Sequence, residues 1–136
     1  PGGAIGRTLL FRVRDIMRSG NRLARVPVTA RVKDAILAMT EARSGSAGIV
    51  DRSGKLLGIF TDGDLRRQLP LHRNVVDLPL RKVMTPSPIT VSDDALAVEV
   101  LRIFEERNID DLLVVDKKGR LIGAVDIQDL PKLKIM

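Results

Sequence analysis

The stretch Gly58-Ile59-Phe60-Thr61-Asp62-Gly63-Asp64-Leu65 decides how this chain is read: an apolar strand runs straight into an acidic helix start. It recurs. Adding 65 to each number gives Gly123-Ala124-Val125-Asp126-Ile127-Gln128-Asp129-Leu130, which keeps the glycine, the small-or-apolar pair, the final aspartate and the leucine. Outward from it, the same offset turns Asp51-Arg52-Ser53-Gly54-Lys55-Leu56-Leu57 into Asp116-Lys117-Lys118-Gly119-Arg120-Leu121-Ile122, and Val26 into Val91. Further upstream, Arg14-Asp15-Ile16-Met17 answers Arg81-Lys82-Val83-Met84 at an offset of 67. Self-similarity at a fixed period marks a duplicated structural unit.

Val32, Ala35, Ile36 and Met39 fall at i, i+3, i+4, i+7, the spacing of one helix face, so a helix is expected over Arg31 to Ala42. Ala97, Val100, Leu101 and Phe104 repeat that stripe 65 residues on. Ala47–Val50 and Leu56–Phe60 are short apolar runs around Asp51-Arg52-Ser53-Gly54, a turn whose glycine permits positive φ, and together predict a β-hairpin. Leu112–Val115 and Leu121–Val125 predict a second hairpin around Asp116-Lys117-Lys118-Gly119. Arg25–Val28 predicts a short strand that Pro27 places at a sheet edge. Asp62–Leu69 predicts a helix that stops before Pro70, and Ser92-Asp93-Asp94 predicts the start of the second copy's first helix.

Each copy is thus expected to run strand, helix, strand, strand, helix. The fold class is α+β, with two pseudo-symmetric β-α-β-β-α repeats packed face to face, because one copy alone would leave a sheet face wet. The expected division is 1–10 as the tail of an upstream domain, 11–70 as the first repeat, and 71–136 as linker and second repeat. A beginning at Pro1-Gly2-Gly3 is expected of a segment cut from a longer protein.

With 136 residues, 44% hydrophobic, the chain has enough apolar surface for one modest core or two half-cores. It contains no cysteine, which excludes disulfides and thiolate metal sites. No apolar run approaches the ~20 residues that cross a bilayer, and the expected location is cytoplasmic, without a membrane partner. The net charge of +6 invites a nucleic-acid partner, but Trp and Tyr are absent and the only aromatics are Phe11, Phe60 and Phe104. The stacking platforms of single-strand binders are therefore missing, and no nucleic-acid partner is expected.

A tandem unit with a strand ending in Gly-x-x-Thr-x-x-Asp at a helix start resembles a pair of CBS domains, over about Phe11 to Leu133. The resemblance implies a cleft between the copies that binds adenosine or other nucleotides and sets the activity of an attached domain. On the matching positions, Asp64 would hold the two ribose hydroxyls, since a carboxylate presents two acceptor oxygens at matching spacing. Thr61 would address the phosphate, and Gly63 would let it come close at the helix start. Thr61-x-x-Asp64 is equally the pattern of a plain capping box. In the second copy Asp126 replaces the threonine, and a carboxylate there repels phosphate. Asp129 keeps the ribose position, so two unequal sites are expected. Arg66 and Arg67 are candidates to neutralise an anionic ligand, and Thr85, ahead of Pro86-Ser87-Pro88, completes the set.

Pro1-Gly2-Gly3-Ala4-Ile5-Gly6-Arg7, then Val13-Arg14-Asp15-Ile16-Met17 and Thr61-Asp62-Gly63-Asp64-Leu65-Arg66-Arg67, look like the C-terminal half of bacterial D-arabinose-5-phosphate isomerases. In that family a sugar-isomerase (SIS) domain precedes a CBS pair and feeds synthesis of the lipopolysaccharide sugar Kdo. The resemblance implies a regulatory module with its own SIS domain as partner, a homodimer through the CBS pair, no cofactor, and CMP-Kdo or an adenine nucleotide as regulatory ligand. The alternative is a structural dimerisation module without ligand. The chain itself is expected to be catalytically inert: its one histidine, His72, lies beside Arg73 in the linker, and the acidic pairs Asp93-Asp94 and Asp110-Asp111 lack partners at metal-ligand spacing.

Overall fold

The computed structural model describes residues 10–130, so the expected upstream tail lies, but for Leu10, outside the described residues. In chain order, the first copy contributes helix α1 (Val13–Ile16), strand β1 (Arg25–Pro27), helix α2 (Val32–Ala42), strands β2 (Ser46–Val50) and β3 (Leu56–Thr61), and helix α3 (Asp62–Gln68). Helix α4 (Leu80–Val83) and strand β4 (Thr85–Pro86) follow. Then come β5 (Thr90–Ser92), α5 (Ala97–Arg107), β6 (Asp111–Val115) and β7 (Leu121–Asp126).

The two halves share one topology. β1 lies parallel to β2 and β2 antiparallel to β3, with β4 on the far side of β3. β5, β6 and β7 repeat the order and sense. Both hairpin turns pass through a glycine in the left-handed region, Gly54 at φ 88° and Gly119 at φ 79°, where a side chain would be strained. Pro27, which has no N–H to give, ends an edge strand.

Each half has its own apolar cluster. Ala35, Met39, Ile49 and Phe60 centre the first, and Val100, Phe104, Val114 and Val125 the second. A third cluster joins them: Leu23, Val50 and Ile59 of the first copy meet Leu113, Leu121 and Ala124 of the second. The sheets are also tied at the turns, where Leu56 N–H donates to Gly119 O and Leu121 N–H to Gly54 O, each at 3.0 Å. Face-to-face packing of the two repeats follows directly.

The packing units do not coincide with the sequence copies. Val13, ahead of the first copy's strands, is fully buried in the second cluster, and its N–H reaches Ala95 O at 2.7 Å. Leu80, from the stretch read as linker, is fully buried in the first cluster, with N–H to Ala30 O at 3.0 Å. Each short helix thus caps the other copy's core, and the segment after it adds an edge pairing: Thr85 beside Ile59, and Arg18 beside Ala124.

Two sequence expectations change, and one holds with an extension. Ser92-Asp93-Asp94 forms a turn, with Asp94 N–H on Ser92 Oγ, and α5 starts only at Ala97, where Glu99 reaches back to the Leu96 N–H. α3 stops before Pro70 as expected, at Gln68, and the chain goes on through a 3₁₀ turn over Leu69–Leu71 that tolerates a proline near its start. The last helix of the second copy is a single 3₁₀ turn, Ile127–Asp129, within the described residues. No helix among them is long and apolar enough to cross a membrane.

Candidate functional site

Where β3 ends, Thr61 accepts a hydrogen bond from Asp64 N–H at 3.1 Å and gives its own N–H to Asp64 Oδ2 at 3.0 Å. The capping box is therefore real. It does not use these groups up. The Thr61 hydroxyl hydrogen stays free to donate, and each carboxylate oxygen has a second lone pair. Asp64 is only 12% exposed, and its Oδ1 accepts from Arg67 Nη2 at 2.7 Å. Arg67 folds back over the helix start, within 3.2 Å of the position a Cβ on Gly63 would take. Gly63 thus makes room for a guanidinium in this state, and Arg67, 69% exposed, is held by one ion pair of the kind that contributes little in water.

Thr61, Gly63, Asp64, Arg66, Arg67 and Thr85 all border one cavity of about 560 Å³ between the two copies. Its far wall is Asp110, Asp111, Asp126 and Gln128 of the second copy. Asp129 does not border it. Its carboxylate accepts from Arg18 Nε at 3.1 Å on both oxygens and from Arg18 Nη2 at 2.8 Å on Oδ1. Asp129 Oδ2 also takes the Asp126 N–H at 2.9 Å, which repeats half of the capping box. The hydrogen bond to Asp129 raises the Arg18 pKa further above its ordinary value.

Sequence reading missed two features. Arg18 stands on the second copy where Thr85 stands on the first, a match implied by the offset of 67 between Met17 and Met84 but hidden by the change of residue. The acidic wall was the other. Asp111 faces Asp126 across β6 and β7, at the places where Ser46 faces Thr61 across β2 and β3. Burial, with Asp126 alongside, pushes the Asp111 carboxyl up to about 7. Asp62 approaches from the first copy, so that a Cβ on Gly45 would sit 3.3 Å from Asp62 Oδ2 and 3.8 Å from Asp111 Oδ2.

The net positive charge of the chain is therefore not the charge of the cleft. Asp62, Asp64, Asp110, Asp111 and Asp126 line it against two cations, Arg66 and Arg67. Both arginines sit on α3 together with Asp62 and Asp64, whereas the charged residues of the second copy's wall, Asp110, Asp111 and Asp126, are all acidic. No three His, Cys, Asp or Glu side chains among the described residues are grouped to hold a metal ion.

The chain resembles known proteins in both sequence and fold. It is 41% identical over its full length to arabinose 5-phosphate isomerase KdsD of Pseudomonas aeruginosa, and it covers 42% of that protein. It spans about two fifths of the length of the curated relatives it matches. Among solved structures, the CBS domain pair of protein MJ0100, in complex with 5′-methylthioadenosine and S-adenosyl-L-methionine, superposes with a TM-score of 0.80 at 26% identity, over 92% of this chain and 96% of that one. CBSX2 in complex with AMP gives 0.75 at 25% identity, over 92% and 96%. The sequence profile of the CBS domain matches twice, at residues 13–71 and 80–133, and with the duplicated sheets around a shared cleft this places the chain in the CBS-domain family as a tandem pair.

Proposed function

We propose that this chain is the nucleotide-binding regulatory module of an arabinose-5-phosphate isomerase, and that occupancy of its cleft is relayed to an attached SIS domain in the pathway to Kdo and lipopolysaccharide. The observation that carries this reading is the open cavity with Thr61 and Asp64 among its lining residues. In it Asp64 holds the ribose diol after Arg67 swings away, Thr61 donates to the phosphate, and Arg66 and Arg67 neutralise it. The placing of both cleft arginines on α3, opposite a second-copy wall whose charged residues are all acidic, supports a ligand with one anionic end and an uncharged or donor-bearing end against that wall. An adenine nucleotide such as AMP meets that description. CMP-Kdo, the end product whose feedback would make metabolic sense, adds a sugar carboxylate that the wall of Asp110, Asp111 and Asp126 disfavours. Occupancy acts only through unequal affinity for two arrangements of the pair, so binding shifts that equilibrium.

The module is expected to act as a homodimer, for which exposed Leu37, Leu69 and Leu71 offer apolar surface. Thermal unfolding followed by circular dichroism tests the reading, with AMP, ATP, CMP, CMP-Kdo and arabinose 5-phosphate as ligands. A ligand at ~100 times its dissociation constant stabilises the fold by about 2.7 kcal/mol, a rise of several degrees. AMP alone raising the midpoint supports the adenine-nucleotide reading, and CMP-Kdo alone supports feedback by the end product. Stabilisation by none of them overturns nucleotide sensing in favour of a structural dimerisation module.

A further inference from the structure

The two halves of the cleft are related residue by residue. Ile59 pairs with Thr85 as Ala124 pairs with Arg18, the sulfur of Met84 lies over Gly58 as that of Met17 lies over Gly123, and Asp64 corresponds to Asp129. At one place the relation breaks. The first half has the short Thr85 beside its open cavity, whereas the second has Arg18, whose guanidinium lies on the Asp129 carboxylate.

We propose that Arg18 closes the second half-site by taking the place of a ribose on Asp129, so that each chain accepts one nucleoside, on the Asp64 side. A ribose donates two O–H groups to a carboxylate, and Arg18 donates its N–H groups to the same two oxygens, so the two occupants exclude each other. The contrast with Arg67 shows why one half opens and the other does not. Arg67 comes from the next helical turn and makes one bond at 69% exposure. Arg18 comes from 111 residues away, is 17% exposed against 18% for Asp129, and is also held by its Nη1 on Arg43 O at 3.2 Å. It lies in the field of Asp126 and Asp111 besides, so its departure would take a positive charge away from an acidic wall. The sequence reading assigned the weakness of this half to Asp126; Arg18 closes it by occupancy.

This inference rests on the nucleotide-binding reading above. Its test is isothermal titration calorimetry with adenosine, which carries the diol and no phosphate for Asp126 to repel. Wild type is expected to take one adenosine per chain and Arg18→Ala two, with Arg18→Ala/Asp129→Ala returning to one. Arg18→Gln serves if circular dichroism finds Arg18→Ala unfolded. One adenosine in wild type and still one in a folded Arg18 variant overturns the closure while leaving the Asp64 site intact. Two in wild type overturn it equally. None in wild type but one in the Arg18 variant upholds the closure and defeats the Asp64 site. Binding by neither chain overturns both.

Discussion

Asp111 and Asp126 face each other directly across β6 and β7, where the first repeat pairs Ser46 with Thr61. Of these four only Thr61, Asp111 and Asp126 border the cleft, so it meets a hydroxyl on one side and two carboxyls on the other. The second pair is costly when ionised, because burial and like charge both act against it.

That cost makes stability depend on pH in an unusual direction. The Asp111 carboxyl is pushed up to about 7 in the fold, against about 3.9 in an unfolded chain. The folded state therefore holds its proton more tightly, and the contribution is fully present below pH ~4 and lost as pH rises toward ~7. Asp111→Asn removes the loss. Its melting midpoint is expected to match wild type near pH 4 and to exceed it by several degrees at pH 8; equal midpoints at both would refute the assignment.

Asp64 joins the stability of the helix start to the site. Asp64→Ala removes the acceptor for the Thr61 N–H and the partner of Arg67, at a cost of about 1 kcal/mol. It is also expected to weaken AMP binding by at least ~10-fold, measured by calorimetry, while Thr40→Ala on an exposed helix face leaves it unchanged.

Gly58 has no room for a methyl group. A Cβ there would lie 2.6 Å from the Met84 sulfur and 3.0 Å from the Thr85 carbonyl oxygen. Gly58→Ala is expected to destabilise by roughly 1–3 kcal/mol. Adding Met84→Ala should recover only part, since the backbone oxygen remains; full recovery in denaturant titrations would show that the edge segment moves freely.

Leu113 sits in the cluster shared by the two copies, 1% exposed, beside Gly48 and Val50 of the first. Leu113→Ala is expected to cost about 2–5 kcal/mol and to lower one cooperative transition for the whole chain. Two separated transitions in calorimetry would mean that the copies fold independently.

The sequence by itself determined the duplication, the two hairpins, both apolar helix stripes and the Thr61/Asp64 helix start. These are written in periodicities of two and of about 3.6 residues and in local turn chemistry, which neighbouring residues settle among themselves. It also carried the Met17/Met84 correspondence, and with it the position of Arg18. Only the tertiary structure decided that α1 caps the second core and α4 the first, that Asp111 meets Asp126, and that Arg18 lies on Asp129. Those are contacts between residues far apart in the chain, and their physical cause is the closing of one sheet on another, which no local pattern encodes. Net charge misled for the same reason: the chain carries +6, while folding gathers five carboxylates around one cleft and leaves most of the cations elsewhere.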